Sequence, residues 1–168
     1  ATQNGDIAPI DFLSELYQDG GKIFFDGVGF HPYSYPALPS YTQAWNAWSQ
    51  MNDTNPSLRG IMSANGDSSK KIWLTEFGAP TNGPGITASV DDARLYQSPD
   101  HVTEDLQAKM VTDAARLAQG YSWAGPLFFF TYKDTGTASN SIENFFGLVR
   151  YDGSKKPAYD ALEQVLAK

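Results

Sequence analysis

The stretch Ile72-Trp73-Leu74-Thr75-Glu76-Phe77-Gly78 decides how this chain reads. Residues of strong strand character carry a carboxylate to the point where the strand should stop. Gly78, Pro80, Asn82, Gly83, Pro84 and Gly85 then break the backbone into a long loop. In parallel α/β folds reactive groups collect at the C-terminal ends of strands, where the loops open to solvent. Period-two alternation predicts that Glu76 shares a face with Leu74 and Ile72, with Trp73 and Phe77 on the other. A single carboxylate capping an apolar row reads as a catalytic group presented at a rim. A helix-capping or salt-bridging glutamate is the alternative.

Outward from this strand the chain alternates between helical and strand patterns. Pro9 opens a short amphipathic helix through Ile10, Phe12, Leu13, Leu16 and Tyr17, stopped by Gly20-Gly21. Residues 23–30 read as a strand ended by His31-Pro32. Ala44, Trp45, Trp48 and Met51 follow helical spacing, and residues 57–64 form a further short helix. After the Glu76 strand comes a polar loop of more than twenty residues, long enough to point to function. Residues 103–120 are the clearest helix, with Leu106, Met110, Ala114 and Leu117 on one face and Glu104 and Asp105 in the first turn. Residues 127–132 form an almost wholly apolar strand, expected to be covered on both faces. Pro157 opens a last helix with Tyr159, Leu162, Val165 and Leu166 inward. The order predicts successive β/α units around a parallel sheet, in one domain over residues 1–168 without repeats or linkers.

Charge narrows the function. The 168 residues carry a net charge of -7, which argues against nucleic acid, where clustered Lys and Arg are required, and against an anionic membrane surface. No run approaches the roughly 18 to 20 apolar residues of a membrane span. With no cysteine, only two histidines and no HExxH, neither a metal site nor a cofactor is expected. His101 is expected to be exposed, just ahead of a helix.

The first strand adds a second clue. In Asp26-Gly27-Val28-Gly29-Phe30-His31-Pro32-Tyr33, His31 and Tyr33 share one parity. Parallel pairing therefore predicts that both emerge at the same rim as Glu76. Among the loop aromatics, Tyr35, Tyr41, Phe145 and Phe146 are candidates for stacking on sugar rings. Trp45, Trp48, Trp73, Phe128 and Phe129 are assigned to the core by their spacing.

Residues 25–33, 72–78 and the run Phe145-Phe146-Gly147-Leu148-Val149-Arg150 together resemble clan A glycoside hydrolases. The nearest families are the cellulase-like family five and the xylosidase-like family thirty-nine. The resemblance covers nearly the whole chain but only the second half of the family's (β/α)8 TIM barrel. It implies a partial barrel of about the last three β/α units, strands six to eight. It further implies that Glu76 is the nucleophile of a retaining β-glycosidase and that Tyr33 orients it. His31 would line the sugar site, and Tyr132 would stand where the family places a stacking aromatic. Tyr35 and Glu143, read from their loop positions rather than from the resemblance, are further candidates to contact substrate. The implied substrate is a β-linked oligo- or polysaccharide outside the cell.

No segment matches the family's strand-four acid/base glutamate. A retaining enzyme needs a second carboxyl about 5 Å from the first to protonate the leaving oxygen. Glu143 and Asp134, in the loop after the last strand, are the local candidates. Otherwise an N-terminal half-barrel, lost upstream or on a separate chain, or another copy of this chain must supply it, and lost upstream sequence is preferred. The alternatives are a non-catalytic carbohydrate-binding or scaffold module derived from such a barrel, and a barrel enzyme of different chemistry.

Overall fold

A computed structural model describes residues 6–90 and 98–167. Helix α1 (Pro9–Gln18) starts on the proline and buries Leu13 and Tyr17. The chain then makes a 3-10 turn over Gly21–Phe24 rather than entering a strand, so Ile23 and Phe24 end up 81% and 83% exposed. The cause is tertiary: Lys22 donates to the Asn65 carbonyl and its own carbonyl accepts from Lys70. Residue 22 is thereby held outside the sheet, and strand β1 is confined to Gly27–Phe30.

Two short helices follow. Helix α2 (Ala47–Asn52) is capped by the Asn46 side chain, and α3 (Leu58–Ala64) by Ser57, each accepting a first-turn N–H. Strand β2 (Lys71–Phe77) carries Glu76 near its end. The long loop after it is not structureless, for Thr87–Ala88 (β3) pairs in parallel with His101–Val102 (β4). Thr103 caps α4 (Glu104–Gly120), β5 runs over Ala124–Phe129, and Pro157 opens α5 (Pro157–Leu166). The main sheet has the order β1-β2-β5, all parallel, as the alternation of elements predicts. Among the described residues no helix is long and apolar enough to cross a membrane.

The core lies on one face of this sheet. Trp48 and Met51 of α2, Leu58 and Met62 of α3, and Leu106 and Met110 of α4 pack on Ile72, Leu74 and Phe77. The other face is open. Gly27, Gly29, Trp73 and Thr75 line a hollow of about 520 Å³ there. This one-sided packing corrects several expectations. Trp73 and Phe128 are 45% and 49% exposed, because they point away from the helices. Trp45 also lies at the surface, one residue ahead of the α2 cap, and Leu166 is exposed at the end of α5. Trp48 is core as expected, and Phe129 packs against the core in part. The third strand begins and ends three residues earlier than the expected 127–132 and is covered on one face only.

The face assignment of Glu76 is also corrected. Strand β2 advances from Leu74 to Phe77 while its partner advances only from Leu127 to Phe129. One extra residue on β2 therefore interrupts the alternation, as in a β-bulge. Phe77 consequently joins Ile72 and Leu74 on the buried face, edge-on to Trp48. Thr75 and Glu76 are left only partly buried.

Candidate active site at the strand ends

Glu76, near the end of β2, meets His31 and Tyr33, which follow the end of β1. Phe30 pairs with Leu74, so each chain needs only two or three more residues to reach the rim. The Tyr33 amide bonds back to the His31 carbonyl at 2.9 Å, which tightens the turn. The Tyr33 hydroxyl donates to Glu76 Oε2 at 2.9 Å. His31 Nδ1 lies 3.6 Å from the same oxygen, a distance for charge contact rather than a hydrogen bond. Among the described residues the other carboxylate oxygen, Oε1, has no hydrogen bond. Glu76 is thus oriented through one oxygen while the other faces outward.

Burial pushes the Tyr33 phenol well above its ordinary value, reinforced by its bond to Glu76 and by the charges of Glu76 and Glu143. The Tyr35 phenol is raised as well, first by burial and then by the charges of Glu143 and Asp100. Glu143 sits exposed on the 3-10 turn Ile142–Phe145. Its charge acts on both phenols.

The rings form one connected group. Tyr33 lies edge-on to Tyr35 at 6.4 Å, and the Phe146 ring touches both, at 6.2 and 6.1 Å. Phe130 joins from the end of β5, 5.3 Å from Phe146. At this end β2 and β5 approach so closely that a Cβ on Gly78 would stand 2.0 Å from the Phe130 carbonyl oxygen, which only glycine allows. Tyr132 is not gathered into this group. It is 65% exposed, and among the described residues its ring joins none of these pairs. Phe130 was missed by sequence reasoning, although its place directly after a strand and the compensating glycine at 78 are both visible in the chain.

Two further expectations change. Asp134 is buried and ion-paired with Lys156 at 2.8 Å, and it also accepts the Gly147 N–H at 2.8 Å. A carboxylate so engaged is a structural anchor, not a free acid. His101 is buried rather than exposed, with Nε2 2.6 Å from the Thr87 hydroxyl across the β3–β4 ladder. Among the described residues no cluster of three or more His, Asp or Glu could hold a metal ion.

No family model and no curated protein matches the sequence. Solved structures do. The fold is similar to a family 39 glycoside hydrolase from the gut symbiont Bacteroides cellulosilyticus WH2, at 25% identity and a TM-score of 0.63 over 92% of this chain and 29% of that one. It is also similar to a GH2 β-galacturonidase from Eisenbergiella tayi, at 14% identity and a TM-score of 0.54 over 85% of this chain and 24% of that one. A β-D-glucuronidase from Dictyoglomus thermophilum gives 17% identity and 0.52 over 86% and 23%. The last two likenesses concern the fold alone. The chain spans less than a third of each of these proteins. These neighbours are glycoside hydrolases, and they support a glycoside-hydrolase type of fold for this small parallel α/β unit.

Proposed function

We propose that this chain carries the nucleophile of a retaining β-glycoside hydrolase acting on β-linked oligo- or polysaccharides by double displacement. The observation that carries the reading is the Glu76 carboxylate, set at a strand end with Oε2 engaged by Tyr33 and His31 and Oε1, among the described residues, without a hydrogen bond. In the first step Oε1 attacks the anomeric carbon and the bond to the leaving oxygen breaks. That oxygen takes a proton from a second carboxylic acid. In the second step the same group, now a base, takes a proton from water as it attacks the glycosyl ester and frees Glu76.

We assign the second carboxyl to further polypeptide, either an N-terminal half-barrel segment or another copy of this chain. Two features support such a neighbour. Strand β1 is an edge strand, flanked by an apolar groove of about 220 Å³ lined by Phe12, Leu16, Phe25 and Val28 among others. The open sheet face also shows Trp73 and Phe128 to solvent, which a closed barrel would cover. An extracellular setting belongs to the same reading and rests on the family resemblance.

A second reading is a sugar-binding module without turnover. The partly exposed rings of Tyr33, Tyr35 and Phe130 near Glu76 favour it, since aromatic rings supply sugar contacts without an acid. Intact-mass analysis after incubation with a panel of activated 2-deoxy-2-fluoro-β-glycosides separates the two. A covalent adduct on Glu76 supports the enzyme. Sugar binding that survives Glu76→Ala, with no adduct on any substrate, supports the module.

A further inference from the structure

Phe146 is only 4% exposed, yet among the described residues its ring alone touches Tyr33, Tyr35 and Phe130 together. Its backbone is held on both sides by buried polar groups. The Phe145 carbonyl accepts from Lys156 Nζ at 3.0 Å and from the Thr81 N–H at 3.1 Å. Gln107 Nε2 reaches the carbonyls of Phe146 and Gly147 at 3.4 and 3.2 Å, and that of Ala79 in the loop after β2 at 3.0 Å. The Gly147 N–H donates to Asp134. A Cβ on Gly147 would stand 2.2 Å from the Asp134 amide nitrogen, so the chain passes here with no lateral freedom.

Lys156 closes the arrangement. It is 1% exposed, and its ammonium has three partners for its three protons: Asp134, the Thr81 hydroxyl at 2.8 Å and the Phe145 carbonyl. An apolar side chain would fill this space without the desolvation cost of a buried charge. A buried ammonium with all three protons paired instead specifies one conformation. It ties the loops after β2 and β5 together at the residues that flank Phe146.

We propose that Phe146 is a positioning residue of the Glu76 site. It braces the Tyr33 ring so that the phenol stays on Glu76 Oε2, and Lys156, Asp134 and Gln107 hold Phe146 at that station. The kinetic consequence rests on the glycosidase reading; the structural content does not.

The test is a pH titration of the tyrosine 13Cζ resonances, with Tyr33 assigned by Tyr33→Phe. The charged and titratable groups facing this phenol are Glu76, Glu143 and Tyr35, with His31 beside Glu76. Tyr17, bonded to Asp67 at the far end of the sheet, serves as an internal monitor of folding. In Phe146→Ala the Tyr33 phenol is expected to titrate lower and, because its bond to Glu76 goes with the brace, to respond less to an added Glu76→Gln than it does in the unmodified chain, while Tyr17 stays put. Gln107→Met, which keeps the volume and removes the amide, is expected to move Tyr33 in the same direction by less. A Tyr33 titration unchanged in Phe146→Ala, with Tyr17 also unchanged, overturns the proposal. Should Phe146→Ala disturb Tyr17, Phe146→Leu decides: movement of Tyr33 alone supports the brace, and no movement overturns it. Fluoroglycoside labelling of the unmodified chain is scored separately. Its failure counts against the glycosidase reading and leaves the titration result standing.

Discussion

The Tyr33 hydroxyl and the Glu76 carboxylate meet at 2.9 Å although 43 residues separate them. Parallel pairing of Phe30 with Leu74 makes them neighbours. A hydrogen bond to a charged group contributes about 1.5–3 kcal/mol. Tyr33→Phe should therefore slow fluoroglycoside labelling of Glu76 by about 10- to 100-fold, with far-UV circular dichroism unchanged. Glu76→Gln should abolish labelling. An unaltered rate in Tyr33→Phe would remove the phenol from the reaction.

Alkaline pH should destabilise the fold through its phenols. Burial and a carboxylate partner raise both Tyr33 and Tyr17 above the ordinary value, so the folded state keeps these protons where the unfolded chain loses them. Their contribution is complete below about pH 10 and declines as pH climbs toward the folded values. Thermal melts from neutral to alkaline pH should show a falling Tm. Tyr17→Phe and Tyr33→Phe should each flatten that fall.

Acid should act at the opposite end of the sheet. Burial alone would raise Asp67, but hydrogen bonds from Lys70 and Tyr17, with the charges of Lys70 and Lys22, outweigh it and hold the carboxyl below its ordinary value. The stabilisation is present above the unfolded value of about 4 and is lost as pH falls through the folded one. Denaturant melts should therefore lose stability below about pH 4, and Asp67→Asn should reduce that slope. An identical slope in the variant would exclude Asp67 as its source.

Breaking the Lys156–Asp134 pair from one side should be costly. Lys156→Met leaves Asp134 buried and unpaired, a loss of about 3–5 kcal/mol, which corresponds to a fall in Tm of about 10 °C in a chain of this size. Adding Asp134→Asn should recover a substantial part by removing the stranded charge. A double variant no better than the single one would show that the carboxylate is not the source of the loss.

Glu143 can be separated from the chemistry by choice of leaving group. Glu143→Gln should lower the Tyr35 titration, because its charge helps to raise that phenol after burial. If further polypeptide supplies the acid, hydrolysis of substrates with good and poor leaving groups should change by the same factor in Glu143→Gln. Loss confined to poor leaving groups would instead make Glu143 the acid.

Local signals were legible wherever one segment contains its own reason. Thr103 caps α4 through its own hydroxyl, Pro157 starts α5, and the alternation of helix and strand patterns predicted the parallel sheet that forms. Other features were not legible, because each depends on a partner elsewhere. The extra residue that turns Glu76 off the face of Leu74 is defined only against β5. Lys22 keeps residues 23 and 24 out of the sheet through bonds to Asn65 and Lys70.

That a glutamate stands near the end of one strand and a histidine and a tyrosine just past the end of another could be read from consecutive residues, because strand propensity and the glycine-rich stop are local properties. That Tyr33 and His31 share one oxygen of Glu76 could be read only from the folded chain. Tertiary structure also decided that Phe130 rather than Tyr132 enters the ring group, and that Asp134 is occupied by Lys156. The physical reason is range. Propensity acts over a few neighbouring residues, whereas packing and charge pairing are set by distances in space between segments far apart in the chain.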